Sequence, residues 1–172
     1  MREVLGMIVR LWAFSLCVIA CLDAGSALVA EHDRSRHGFH VEAFHKTADP
    51  AVGSWDLSLD DHGQMVVSIG KTRHELHVSE KKQDELLRVI QHEGFFELDD
   101  ELGGGFVGGP IRQMEVVLGG QRKQVVLLSG LSQEKDLEHV KRALRVWSAI
   151  RGLFDLPEAA DSRDEDRRIL EE

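Results

Sequence analysis

The chain has 172 residues, 30% of them charged, with a formal net charge of −9, no Tyr and two Cys. That length allows one domain plus appendages, and the negative balance argues against a nucleic-acid partner on bulk electrostatics. No repeat of solenoid length is visible, and nothing in the composition calls for a cofactor.

Residues 1–30 read as a signal peptide. Arg2 and Arg10 flank its start, and Leu11 to Leu22 is an uncharged apolar run, shorter than the roughly 20 residues that span a bilayer. A signal peptide is favoured over a retained membrane helix, and Val18-Ile19-Ala20-Cys21 resembles a bacterial lipobox, which implies lipidation of Cys21 and membrane contact only through that lipid or the signal segment. The alternative is ordinary cleavage after Ala27 or Ala30, with Gly25 or Leu28 at the −3 position. Both cysteines, Cys17 and Cys21, fall in this segment. The remainder therefore has no disulfide, no thiol nucleophile and no thiolate metal site, although export would carry it into an oxidising compartment.

Residues 31–50 are polar, end in a turn signal and read as a linker. They hold four of the nine histidines: His32, His37, His40 and His45. On a helix His37 and His40 would share a face that His45 could approach, which makes these three weak candidate metal ligands. The solvated-linker reading is preferred, because a mobile segment must first pay ordering entropy and no established ligand spacing is present.

Residues 51–154 read as a single α+β domain. Ser54 to Leu59 alternates, with Trp55, Leu57 and Leu59 on one face. Asp60 to Gly63 is a turn, and Gln64 to Ile69 is the return strand. Gly70-Lys71 leads to a third strand, Thr72 to Val78. His74 and His77 fall on its opposite faces and cannot chelate one ion together. Ser79 reads as the N-cap of a helix with an apolar face of Leu86, Leu87, Val89 and Ile90, stopped at Gly94 and followed by Phe95 and Phe96.

Asp99 to Pro110 is a long loop carrying five glycines. It matches neither a P-loop nor a dinucleotide fingerprint, since a strand follows rather than a helix. Gly103, Gly104, Gly105, Phe106, Val107, Gly108 and Gly109 form a candidate partner-binding loop; the alternative is a connector whose Phe106 tucks onto the core. Ile111 to Leu118 and Gln121 to Ser129 form a hairpin about Gly119-Gly120. Ser132 caps a second helix, Gln133 to Arg151, with Leu137, Val140, Leu144, Trp147 and Ile150 as its apolar stripe. Lys141, Arg142, Arg145 and Arg151 suit the negative end of that helix dipole. Residues 155–172 form a charged tail.

The expected fold is thus α+β: a mostly antiparallel sheet of about five strands with two helices on one face, in the order β-β-β-α-β-β-α, preceded by a signal peptide. Its stretch LLRVIQHEGFFEL, followed by a loop, a hairpin and an amphipathic helix, resembles small bacterial domains of the emfourin (protealysin-inhibitor) type. It is also similar to a group of secreted bacterial domains of unknown function. The resemblance covers Ser54 to Phe154 and rests on Leu86, Leu87, Phe95, Phe96 and Leu98. Asp99 stands where those families often have Pro, and Ser54-Trp55 stands where the secreted group has Cys-Pro.

No nucleophile elbow or other catalytic context is present, so the chain reads as a non-enzyme. The leading expectation is an exported cell-envelope binding or structural module, partnered by another protein or an envelope component. The alternative implied by the resemblance is an inhibitor of a secreted metalloprotease, with Phe106 and Val107 or an edge strand entering the cleft. A third is metal sequestration by the histidine-bearing segment. Deleting Gly103–Gly109 is expected to abolish either of the first two in a binding or inhibition assay, and removing residues 31–49 to abolish only the third.

Overall fold

Four strands lead the fold: β1 (His40–Lys46), β2 (Trp55–Asp60), β3 (Gln64–Ile69) and β4 (Thr72–His77). Helix α1 (Glu80–His92) and a 3-10 turn (Phe95–Glu97) follow, then β5 (Glu101–Leu102), β6 (Ile111–Leu118), β7 (Gln121–Leu128) and helix α2 (Leu137–Arg151). The computed structural model describes residues 38–47, 53–104, 109–128 and 137–156, all inside one unit, Gly38–Glu172. The signal segment, Cys21 and the charged tail beyond residue 156 lie outside the described residues. Among the described residues no helix is long and apolar enough to cross a membrane.

The α+β class and the mostly antiparallel sheet hold, but the sheet has seven strands, in the order β4-β3-β2-β1-β6-β7-β5. The expected order therefore becomes β-β-β-β-α-β-β-β-α. The larger correction concerns the segment read as a linker. Its residues His40–Lys46 form the middle strand, antiparallel to β2 on one side and to β6 on the other. Val41, Ala43 and His45 point inward and are buried, whereas Glu42, Phe44 and Lys46 point out. The other addition, β5, is two residues long and runs parallel to β7.

The inward residues of the strands join the apolar faces of both helices in a single core. Trp55, Leu57 and Leu59 meet Met65 and Val67, then Met114, Val116, Val125 and Leu127 across the sheet. From the helices come Leu86, Leu87 and Ile90, and Leu144, Trp147 and Ile150, as their spacing predicts. Phe95 and Leu98 are fully buried behind α1, and Phe154 closes the far end.

Local chemistry sets the turns. Asp60 Oδ1 accepts from the backbone N–H of His62 and of Gln64, and Gly63 adopts φ of 77°. A Cβ at Gly63 would strike the Val78 carbonyl and the Gln83 side chain, which already donates to that carbonyl at 3.0 Å. Gly119 and Gly120 both take positive φ, the signature of a type I′ hairpin. Ser79 occupies the N-cap of α1, but its hydroxyl makes no capping bond.

The basic residues of α2 do more than answer its dipole. Arg142 Nε donates to the Glu93 carbonyl at 2.6 Å and Nη2 to the Gly94 carbonyl at 3.3 Å, so α2 caps the end of α1. Arg145 holds the buried Glu93 carboxylate at 2.9 Å.

Because β1 joins the two halves of this sheet, between β2 and β6, removing residues 31–49 takes out the fold rather than a linker. A chain lacking residues 40–46 is expected to lose cooperative unfolding and the near-UV circular dichroism of its buried tryptophans.

Candidate functional site

Strand alternation splits β1 between two environments. On the inner face His45 is 1% exposed and stacks on Trp55, with ring centroids 5.9 Å apart; Trp147 lies 6.2 Å away. Trp55 and Trp147 stack at 5.1 Å, and Phe154 meets Trp55 edge-on at 5.2 Å. Arg112, directly opposite His45 on β6, is buried, as is Arg151. Arg151 lies 4.3 Å over the Phe154 ring and donates to the Phe154 carbonyl at 2.9 Å. Neither ring nitrogen of His45 has a hydrogen-bond partner among the described residues. Burial first, and then the charges of Arg112 and Arg151, push its pKa from 6.5 down to about 4. His45 is therefore a neutral core residue at neutral pH.

The outer face carries the feature suited to binding. Phe44 is 37% exposed, as is Ile111. Asp56 lies directly across from Phe44 on β2 and Gln113 directly across on β6. Glu42 is two residues before Phe44 on the same face, opposite Ser58 and Glu115. These side chains rim a shallow depression of about 280 Å³, lined also by Ala43 and Leu57. Ligand pockets for small molecules run from roughly 300 to 1,000 Å³ and are enclosed. An open depression of this size fits one side chain of a larger partner. Beside it, Ile111 pairs with Leu128 and Gln113 with Val126, which extends an apolar strip toward the sheet edge.

The charges on this face are unequally engaged. Arg122 holds Glu115 at 2.9 Å, and Arg73 meets Glu75 at 3.3 Å. Glu42 meets His40 at 3.2 Å and lies within the field of the Arg122 guanidinium, and both Glu42 and His40 are solvent-accessible. Asp56 makes no ion pair among the described residues.

The expected site residues separate accordingly. His40 sits on the outer face and His45 in the core, so the shared helical face that would have brought them together does not exist; His37 lies outside the described residues. Among the described residues no group of three or more His, Cys, Asp or Glu side chains is placed to hold a metal ion. Of the glycine loop, Gly103 and Gly104 follow β5 and Gly109 precedes β6, while Gly105, Phe106, Val107 and Gly108 lie outside the described residues. Sequence reasoning missed Glu42, Phe44, Asp56, Ser58 and Gln113, which three strands bring together. The one available signal was the alternation within HVEAFHK.

The pKa of His45 gives a stability test. The unfolded chain takes up this proton near 6.5, whereas the folded chain resists it down to about 4. Stability is thus untouched by this group above 6.5 and falls as pH drops toward 4, by at most about 3 kcal/mol. Urea unfolding of the wild type and His45→Phe across this range is expected to show a stability difference that shifts toward the variant as pH falls. A pH-independent difference would contradict it.

A comparison with known protein families matches no family model, and no curated protein is similar to the chain.

Proposed function

We propose that the chain is an exported cell-envelope binding module that docks an extended segment of another protein on the outer face of its sheet. Residues 1–30 would direct export. A lipid on Cys21 is the favoured anchor, and cleavage after Ala27 or Ala30 is the alternative. The supporting observation is the outer face itself: both helices pack on the other side, and Phe44 and Ile111 stand exposed beside a depression the size of one side chain. Large apolar side chains left on a strand face lose nothing in folding and gain by being covered.

The reading as a non-enzyme stands as part of this proposal, resting on the lack of catalytic sequence context. Inhibition of a secreted metalloprotease is the alternative carried by the emfourin resemblance and the glycine loop. Stoichiometric inhibition of a thermolysin-type protease, lost on deletion of Gly103–Gly109, would favour it over docking on the sheet.

The docking reading is tested by placing a photocrosslinking residue at position 44 or, as a control, at Arg73 on β4. The expected result in envelope fractions is a discrete adduct from position 44 and none from position 73. Excess unlabelled wild type should compete it away, and excess Phe44→Ser protein should not. Equal adducts at both positions, or none, would sink the assignment.

A further inference from the structure

We infer that the outer-face depression recognises a basic side chain of the docked segment, with arginine preferred over lysine; this inference rests on the docking reading. Four observations carry it. Phe44 presents its ring at the rim, and a ring face attracts a cation through its quadrupole. Asp56 stands directly across from that ring and makes no ion pair among the described residues. Glu42 stands on the same face, 59% exposed, in contact with His40 and within the field of Arg122, with no ion pair to a Lys or Arg among the described residues. Glu115 and Glu75, by contrast, are already held by Arg122 and Arg73. Asp56, directly across from Phe44, is therefore the carboxylate left available, with Glu42 only partly engaged, in a chain whose formal net charge is −9.

Geometry selects the guanidinium. Asp56 and Glu42 are diagonal neighbours on adjacent strands, about 7–8 Å apart between their backbones by ordinary sheet spacing. A planar guanidinium stacked on Phe44 can direct N–H groups to both sides, toward the two carboxylates and the acceptor oxygens of Ser58 and Gln113. An ammonium is a point donor and reaches fewer of them. The protein uses the same arrangement internally, where Arg151 lies over Phe154 and donates to a carbonyl. The strip of Ile111, Val126 and Leu128 beside the depression suits an apolar residue next to the arginine. Lys46, on the other side of Phe44 from Glu42, disfavours a second cation there and so orients the segment.

The test is an amide chemical-shift titration of the purified full chain with acetyl-Leu-Arg-Leu-amide. Two control peptides carry citrulline, the neutral isostere, or lysine in place of arginine. The expected result is shifts centred on Glu42, Phe44, Asp56, Ser58 and Gln113 with arginine, weakened by salt and lost with citrulline. Lysine should bind about two- to fivefold more weakly. Asp56→Asn and Phe44→Leu, both at exposed positions, should each lower arginine affinity about two- to fivefold with an unchanged unfolding midpoint. Lys46→Ala should raise it.

Equal shifts from arginine and citrulline would overturn cation recognition and leave docking standing. Shifts centred elsewhere, or none at all, would also overturn it; the crosslinking at position 44 then decides the docking reading independently.

Discussion

The double pairing of β1 is the constraint on which the rest depends. Its backbone groups are shared between β2 and β6, and its inward side chains Val41, Ala43 and His45 fill the middle of the core. Without it the β2–β4 meander and the β6–β7 hairpin have no common ladder. Each would expose an edge and an apolar face, and an isolated two-stranded hairpin such as β6–β7 is marginal in water. The helices act on the same joint from above: Trp147 of α2 reaches Trp55 and His45, while Arg142 ties the end of α1 to α2.

Much of this was legible in sequence. Trp55 to Leu59 and the buried parts of the two helical stripes follow periods that match their burial, because there packing and local propensity agree, whereas in β6 the alternation breaks at buried Glu115 and half-buried Leu118. The segment HVEAFHK hid its strand for a physical reason. A central strand is expected to show its bulk on the buried face, but here the largest apolar side chain, Phe44, faces out and a histidine faces in. The inward histidine is neutral and stacks on the Trp55 indole, which spares the core the cost of a buried charge. The two-residue β5 lies below any periodic signal.

The candidate site was less legible still. Phe44, Asp56 and Gln113 are far apart in the chain and become neighbours only through the β2–β1–β6 register. No spacing rule on a single segment can anticipate such a cluster. The same inversion that disguised β1 also placed an aromatic ring on the solvent side, so the difficulty of reading the strand and the origin of the exposed aromatic face have one cause.

The strand order also bears on how the molecule assembles in time. The β2–β3–β4 meander and the β6–β7 hairpin close over short loops, whereas β1 must meet residues 111–117 across most of the domain. Loop-closure entropy delays that meeting until β6 is available. Local hairpins cost less loop-closure entropy than the β1–β6 seam, which favours their forming first. An unfinished chain accordingly carries a strand with one open side, whose natural partner has yet to be made.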